Sequence, residues 1–219
     1  MLASEIPGGS TAHGHKFRNP NVAAVRPERD LPAPVFFRAG SEIYAEGDAC
    51  GKLYRVAFGC VRVYRLLSDG RRQISAFHLP GEVFGFEAGK ERRFFAEAVC
   101  DSGIQILSTG SGSEEMANEL LPMALQCLLR AEDHLMMLGR QNAMERIASF
   151  LLEMAEQQGE QSHIELPMTR SDIADYLGLT IETVSRAFST LKRRGVIRLT
   201  GLRGVDIVQR QALTAMACH

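Results

Sequence analysis

The sequence is poor in the cysteine patterns that build disulfide-bonded or metal-bound folds. Its 219 residues hold five cysteines, at positions 50, 60, 100, 127 and 218, and no two of them form a C-x-x-C pair. An odd, scattered set does not support a disulfide framework or a compact thiolate metal site. We therefore expect reduced thiols and a cytoplasmic protein.

Long apolar runs and catalytic signatures are absent as well. The sequence has no run of about 18 apolar residues, so we expect no membrane span. It does not begin with a charged stretch followed by an apolar one, so we expect no secretory signal. Paired carboxylates, a nucleophile elbow and a phosphate loop are all lacking, which makes an enzyme the poorest interpretation.

The charge is distributed unevenly, although the net charge of the whole chain is only -1. Residues 1–168 hold 17 Lys and Arg against 22 Asp and Glu, whereas residues 169–219 hold 8 against 4. The basic residues of this last part gather at Lys192, Arg193, Arg194, Arg198 and Arg203. The cluster is either a solvated basic face or a binding surface for a polyanion, and the helical pattern beside it favours the second.

Changes in composition and in the pattern of apolar residues divide the chain into four parts and predict an α+β fold. Residues 1–34 are rich in Gly, Pro, Asn and Ala and are expected to be a flexible arm. Residues 35–112 alternate short β-like runs with glycine turns, including the hairpin signal Ser68-Asp69-Gly70, which predicts a small antiparallel sandwich or roll. Residues 113–139 are expected to hold a dimerisation helix, and residues 140–219 a winged helix-turn-helix.

The dimerisation helix is predicted from about Pro122 to Arg140, with the proline in its first turn. Leucines recur every seven residues, and a second series recurs three residues later. Together they form the heptad seam Leu121, Ala124, Leu128, Ala131, Leu135 and Leu138. This spacing is typical of a two-stranded coiled coil and predicts a parallel homodimer. An amphipathic helix packed on its own roll is the alternative.

The C-terminal part reads as a helix followed by a helix-turn-helix and a wing. A helix over 141–157 has one apolar face at i, i+3, i+4 and i+7, starting at Ile147. Thr169 is expected to cap a first short helix that ends at Leu177, and Thr180 to cap a second helix over 181–194. Gly178 permits the reversal between them. The runs 196–199 and 205–208 predict a β-hairpin wing.

The second of these helices presents Glu182, Ser185 and Arg186 on one side, at i, i+3 and i+4. Arginine can donate two hydrogen bonds to guanine, a carboxylate can accept from cytosine, and serine is permissive, so the three are candidate base-reading residues. An ion pair between Glu182 and Arg186 is the alternative, and it would not exclude readout. Candidate phosphate contacts surround this helix: Thr169, Arg170, Thr180, Thr183, Ser189, Lys192, Arg193 and Arg203.

Two sets of residues carry a family resemblance. Turn glycines and apolar positions from Gly40 to Gly85, including Glu46-Gly47-Asp48 and Gly81-Glu82-Val83-Phe84-Gly85, resemble the cyclic-nucleotide-binding β-roll of transcription factors related to the cAMP receptor protein. The run Glu182-Thr183-Val184-Ser185-Arg186 resembles the E-x-x-S-R reading helix of the FNR and FixK branch of this CRP/FNR superfamily. The resemblance implies a homodimeric regulator that binds double-stranded DNA at a TTGAT…ATCAA palindrome and contacts RNA polymerase.

The chain also departs from its sensing relatives. Phe86 stands where nucleotide-binding members have a glutamate for the ribose, and Arg93 follows Arg92 where they have a serine, so cAMP binding is not expected. Arg92 is left as a candidate anion contact, and a surface arginine is the favoured interpretation. No cysteine occurs before position 50, so an N-terminal iron–sulfur cluster lacks its ligands.

Two possibilities for sensing stay open. Haem held by His78 or His134 is the basis of the alternative function, a gas or nitrogen-oxide sensor of the same superfamily. Cys218 is the candidate for redox control, because the other four cysteines fall in segments expected to be buried.

Overall fold

The structure is a computed structural model that describes residues 32–108 and 114–217. Most of the predicted arm, residues 1–34, lies outside these ranges. The roll strands are β1 (Val35–Phe37), β2 (Glu42–Tyr44), β3 (Lys52–Phe58), β4 (Val61–Leu66), β5 (Arg72–His78), β6 (Val83–Phe84), β7 (Phe95–Ala98) and β8 (Ser102–Ser108). They are followed by α1 (Glu114–Arg140), α2 (Ala143–Gln157), β9 (His163–Glu165), α3 (Arg170–Leu177), α4 (Ile181–Arg193), β10 (Ile197–Thr200), β11 (Gly204–Ile207) and α5 (Arg210–Ala217).

The predicted antiparallel β-roll is confirmed. Its two four-stranded sheets have the orders β1-β8-β3-β6 and β2-β7-β4-β5. The turn between β4 and β5 closes with a hydrogen bond of 2.8 Å from the Leu67 N–H to the Arg71 carbonyl, and Gly70 takes a positive φ of 81°. Val61 and Val63 point into the roll while Arg62 and Tyr64 are half-buried on the other face of β4, as their alternation predicts.

Helix α1 begins at Glu114, so the prediction that it starts near Pro122 is wrong. Pro122 lies inside the helix, although a proline lacks the N–H that an interior position normally donates. The residues before it, Glu114 to Leu121, are mostly strong helix formers and extend the helix through the proline. Neither α1 nor any other described helix combines the length and the apolarity that crossing a bilayer requires.

Only Gln141 and Asn142 separate α1 from α2. The Asn142 side chain accepts from the N–H groups of Met144 and Glu145, and the Glu145 carboxylate accepts from the Asn142 N–H at 2.8 Å. This capping box starts α2 at Ala143, two residues later than predicted. The predicted boundary between residues 139 and 140 falls at the end of α1.

The predicted winged helix-turn-helix is confirmed. Helices α2 to α4 enclose a core that includes the fully buried Ile147, Ile173 and Leu191. A three-stranded sheet of order β10-β11-β9 adjoins them, with β10 and β11 forming the wing. Helix α5, which packs on α2, was not predicted, because Leu213 is its one fully buried side chain and a single position sets no period.

Candidate nucleic-acid interface

The reading unit consists of α3 and α4 joined by a three-residue turn. Gly178 ends α3 in the left-handed region at φ 61°, where a residue with a Cβ would be strained. Thr180 caps α4, since its hydroxyl accepts from the Thr183 N–H at 3.3 Å. Ala174 and Val184 are buried where the helices cross. All three local features follow the sequence prediction.

The three candidate base-reading residues are all exposed on α4. Glu182, Ser185 and Arg186 lie in the first two turns and face away from the domain core. The pKa of Glu182 lies below its usual range, mainly because its own backbone N–H and the Thr180 hydroxyl donate to it; the charge of Arg186 contributes less. Because the Glu182 carboxylate interacts only weakly with the Arg186 guanidinium, the guanidinium can extend toward a base edge.

The hydroxyl groups proposed for phosphate contact already have partners. Thr169 and Asp172 form the predicted capping box: Thr169 Oγ1 accepts from the Asp172 N–H at 3.1 Å and donates to its carboxylate at 2.8 Å. Thr180 and Thr183 hydroxyls lie 3.1 Å apart, and the Ser189 hydroxyl donates to the Ser185 carbonyl at 2.9 Å. These hydroxyl groups stabilise the helices by hydrogen bonds within the protein, and a phosphate would have to compete with those hydrogen bonds.

The basic side chains around α4 differ in their exposure and in whether they already contact another side chain. Lys192, Arg193 and Arg203 are exposed. Arg198 lies 3.9 Å from Asp206. Arg170 is half-buried, with its guanidinium 3.3 Å from the centre of the Phe188 ring, and burial lowers its pKa. Arg170 therefore joins α3 to α4 by a cation–π contact as well as adding positive charge beside the reading helix.

The tip of the wing carries one feature that the sequence prediction missed. Leu202 is as exposed as a side chain can be, next to the predicted phosphate contact Arg203. At the base of the wing, His163 Nδ1 lies 2.6 Å from Asp206, and this hydrogen bond raises the pKa of His163. The pair depends on the register of β9 against β11, which the sequence pattern did not give.

The prediction that Arg92 is a surface residue is wrong. Arg92 is 2% exposed and lies in the roll, where its Nη1 donates to the Gly85 carbonyl at 2.7 Å and its Nη2 to the Lys52 carbonyl. Its guanidinium sits 4.4 Å from the centre of the Tyr44 ring, and Glu87 lies 3.5 Å away. The position that resembles a phosphate-binding arginine is thus occupied by protein contacts.

A neighbouring cavity of about 240 Å³ is lined by aromatic side chains that include Phe84, Phe86 and Phe94, together with charged and polar residues such as Glu87 and Arg130. His78 borders it, stacked on Phe84 at a ring distance of 5.2 Å, and burial lowers the pKa of His78 to about 3. The second candidate haem ligand, His134, donates from Nε2 to the Tyr176 carbonyl at 2.9 Å. One histidine is therefore packed against an aromatic ring and the other is already hydrogen-bonded.

A cluster of charged groups lies between α1, α2 and the roll, beside a groove of about 880 Å³. Arg130 pairs with the buried Glu82, and the Tyr176 hydroxyl donates to the Glu153 carboxylate at 3.1 Å. Burial raises the pKa of Glu153 to about 7. Proton uptake by this cluster is tied to the packing of the DNA-binding domain, because Tyr176 belongs to α3 and Glu153 to α2.

The predicted seam of α1 is only partly solvent-exposed. Leu121, Leu128, Ala131 and Leu135 are exposed, whereas Ala124 and Leu138 are half-buried. The sequence prediction missed Leu125, Leu129 and Met136, which are also exposed. Two members of the second predicted series, Ala124 and Leu138, therefore face the protein body, whereas Ala131 does not. We call the exposed set the apolar stripe: Leu121, Leu125, Leu128, Leu129, Leu135 and Met136.

The four cysteines that the structure describes are all buried or half-buried. Cys60 is fully buried, and Cys50, Cys100 and Cys127 are half-buried. Burial raises the pKa of Cys60 and of Cys127, which disfavours the reactive thiolate. The redox prediction concerns Cys218, which lies outside the described residues. Within residues 32–108 and 114–217, no group of three or more His, Cys, Asp or Glu side chains is placed to hold a metal ion.

Two family descriptions match the chain, one for each half. Residues 34–117 match the cyclic nucleotide-binding domain, and residues 145–216 match the Crp-like helix-turn-helix domain. The matched ranges coincide with the β-roll plus the start of α1, and with α2 to α5.

Similar proteins include two nitrogen fixation regulation proteins called FixK. The one from Rhizobium meliloti is 52% identical over 180 residues, which cover 82% of this chain and 85% of the relative. The one from Azorhizobium caulinodans is 43% identical over 194 residues, covering 84% and 78% respectively. Among solved structures, FixK2 from Bradyrhizobium japonicum superimposes with a TM-score of 0.81 at 44% identity, covering 86% of this chain and 99% of that one.

Proposed function

The chain belongs to the Crp/Fnr family of DNA-binding transcription regulators, in its FixK-type branch, and from this premise we propose that it binds a palindromic site as a homodimer without a bound effector. The site is of the TTGAT…ATCAA kind, with half-site centres about one helical turn apart. The protein acts in the cytoplasm and contacts RNA polymerase while bound to DNA.

The observation that carries the proposal is the open reading face of α4. Glu182, Ser185 and Arg186 are exposed together, on a helix that the Thr180 cap and the buried Val184 hold rigidly. Arg186 reads a guanine through two hydrogen bonds, and Glu182 accepts from a cytosine amino group. Lys192, Arg193 and Arg203 add backbone contacts that position the helix without reading sequence.

The apolar stripe supports the homodimer. Six large apolar side chains exposed along one face of α1 form a patch that soluble monomers rarely carry. A second α1 is the partner that fits, because paired helices bury such a stripe along their whole length. A two-fold dimer places two reading helices on one side of the DNA, which is why the site is a palindrome.

The interior of the roll supports independence from cyclic nucleotides. A cyclic phosphate at Arg92 would have to displace two backbone carbonyls, Glu87 and the Tyr44 ring. Gly85 leaves no spare room there, since a Cβ would lie 3.2 Å from both Arg92 and the Lys52 carbonyl. At about 100 times its dissociation constant a ligand adds about 2.7 kcal/mol of stability. We expect cAMP and cGMP to leave the thermal unfolding midpoint unchanged.

The haem-sensing alternative is less well supported. His134 already donates to the Tyr176 carbonyl, and His78 is stacked on the Phe84 ring, so neither imidazole is presented as an open ligand, although both border the groove of about 880 Å³. A visible absorption spectrum of the freshly purified protein tests this point. A Soret band at stoichiometric intensity would favour the sensor, and we expect none.

The central test is DNA binding by the purified full-length protein. We expect tight binding to the TTGAT…ATCAA palindrome and weak binding to a scrambled duplex, at one stated salt concentration. The assay is run with and without reductant, which also tests Cys218. Equal affinity for the two duplexes would contradict sequence-specific recognition.

The dimer is tested by Leu128→Glu, which places a charge in the middle of the apolar stripe. We expect the variant to be a folded monomer by sedimentation, with palindrome binding much reduced. The matched control is Gln126→Glu, which adds the same charge to an exposed position on another face of the same helix. A dimer that survives Leu128→Glu would contradict the assignment of the interface.

A further inference from the structure

The DNA-binding domain is fastened to its own roll by a group of four charged residues. Arg62 of β4 and Arg72 of β5 both donate to one oxygen of Asp172, at 2.9 and 2.7 Å. Arg72 also donates to Asp175 at 2.7 and 2.9 Å. The Asp172 side chain is 2% exposed, and those of the other three are between 15% and 29% exposed. We call Arg62, Arg72, Asp172 and Asp175 the clamp.

Directional contacts beside the clamp fix the same helix. The Gln73 side chain donates to the Asp175 carbonyl at 2.8 Å, and His134 of α1 donates to the Tyr176 carbonyl at 2.9 Å. The His134 and Tyr176 rings stack at 4.0 Å. Helix α3 is thus seated on the β4–β5 hairpin and on α1 at once.

The covalent connection between α1 and α2 is only two residues long and ties α2 to the end of α1. Arg146 of α2 is the other tie: its guanidinium donates to the carbonyls of Leu138, Gln141 and Leu177. It grips the end of α1 and the end of α3, whereas the clamp holds the start and middle of α3. The clamp and Arg146 thus hold α3 at different points along its length.

Rotation of α3 moves the reading helix with it. Ala174 and Val184 are buried at the crossing of α3 and α4, and Arg170 of α3 stacks on Phe188 of α4. The two helices thus form one rigid body. Asp172 belongs both to the clamp and to the capping box of α3, so the start of the helix and its seat on the roll share one carboxylate.

We propose that the clamp is a positioning device that sets the distance and rotation between the two reading helices of the dimer, and so selects the spacing of the DNA half-sites. This inference rests on the proposed function, a dimer on a palindrome. Buried ion pairs add little net stability, but they are directional and hold one geometry against its neighbours. A change of one base pair moves a half-site by about 3.4 Å and about 35°, so a fixed pair of helices distinguishes spacers.

The test compares affinities for three palindromes: the best spacer, one base pair longer and one base pair shorter. A duplex with a single half-site is measured at the same salt concentration. The variants are Arg72→Gln and Asp175→Asn, neither of which touches the reading face. Arg71→Gln is the matched control, because Arg71 is the preceding residue, 78% exposed, and pairs with Asp69 in its own turn.

We expect the unmodified protein and Arg71→Gln to prefer the best spacer by about tenfold or more. Arg72→Gln and Asp175→Asn should bind the three spacers within about threefold of one another, with half-site affinity unchanged. Because the two residues share one contact, the double variant should show less than the sum of the single effects.

Two outcomes would overturn the proposal. One is an unaltered spacer preference in both clamp variants. The other is an equal loss on the half-site and on all three spacers, which would mean that the substitutions damage α3 itself; thermal unfolding of each variant accompanies the binding data. If the unmodified protein does not distinguish a palindrome from a scrambled duplex, the proposed function fails, and this result differs from both.

Discussion

Arg92 of the roll and Arg186 of the DNA-binding domain each lie where their domain would be expected to contact a ligand. They differ in burial and in hydrogen bonding. Arg92 is buried in the roll and bonded to two backbone carbonyls. Arg186 is exposed on α4, and its charge is only a minor cause of the lowered pKa of Glu182. One arginine stabilises a fold, and the other is available to bind.

The contrast extends to their surroundings. Several charged groups of the roll are paired inside the molecule: Glu82 pairs with Arg130 of α1, and Arg62 and Arg72 pair in the clamp. Basic groups around α4 mostly face solvent. A domain whose charges are satisfied internally has little left for a polyanionic effector, whereas one with open charges attracts DNA. The four predictions below probe this contrast, from the largest expected effect to the smallest.

Arg92→Ala should destabilise the protein by about 3–5 kcal/mol, because it removes the charge from a buried, bonded group and leaves a cavity beside Tyr44. Urea unfolding at fixed protein concentration measures this effect. Arg93→Ala, at the exposed neighbouring position, should change stability by less than about 0.5 kcal/mol. A similar, small effect of both substitutions would break the contrast, since it would place Arg92 outside the core of the roll.

Arg186→Ala should leave stability unchanged and weaken binding to the palindrome by about 1–3 kcal/mol. Discrimination at the guanine should relax, because the lost contact is specific to that base. Affinities for the palindrome and for duplexes substituted at that base pair measure both effects. A uniform loss on specific and random DNA would assign Arg186 to the backbone instead.

Glu153→Gln should remove a pH dependence of stability. The folded-state pKa of about 7 lies above the ordinary 4.5, so the folded protein binds this proton more tightly than the unfolded chain. The contribution of this group to stability is then full below about pH 4.5, falls as pH rises toward 7 and is level above it, a change of about 2–3 kcal/mol between pH 5 and 8. Denaturation between pH 5 and 8 should show this slope in the unmodified protein and a flatter one in the variant. Identical slopes would mean that Glu153 is solvated.

Lys192→Ala should have the smallest effect. Lys192 is exposed on the last turn of α4 and is expected to meet a phosphate, so all DNA sequences should lose affinity alike. The dependence of log affinity on log salt should become shallower by about 1. A loss confined to the specific site would mean that Lys192 reads a base, and the boundary between reading and backbone contacts on α4 would have to be redrawn.

Local signals in the sequence were enough for the helix-turn-helix. Thr169 with Asp172, Gly178 and Thr180 are cap and turn residues whose effect depends on near neighbours, and each does what its chemistry predicts. The start of α1 was predicted wrongly because the prediction rested on Pro122 alone, a residue that usually lies in the first turn of a helix. The helix instead begins earlier, because its start depends on the whole stretch before the proline.

Whether a given arginine is buried or exposed could not be predicted from the residues next to it in the sequence. Arg92 and Arg93 are adjacent and chemically identical, and only the closure of the roll decides that the first is buried and the second exposed. The clamp joins residues about a hundred positions apart, Arg72 to Asp172, and no periodicity links them. Similarly, the apolar stripe differs from the predicted seam because the body of the protein covers Ala124 and Leu138 on one side of α1.

The sequence by itself thus determined most of the element types, the reading helix and its caps, and the family to which the chain belongs, because these depend on short-range chemistry and recurring patterns. The tertiary structure alone decided which charges are paired, which are open and how the reading helix is seated on the roll. Those properties arise from contacts between distant segments, whose free energies depend on burial and geometry that no local pattern contains.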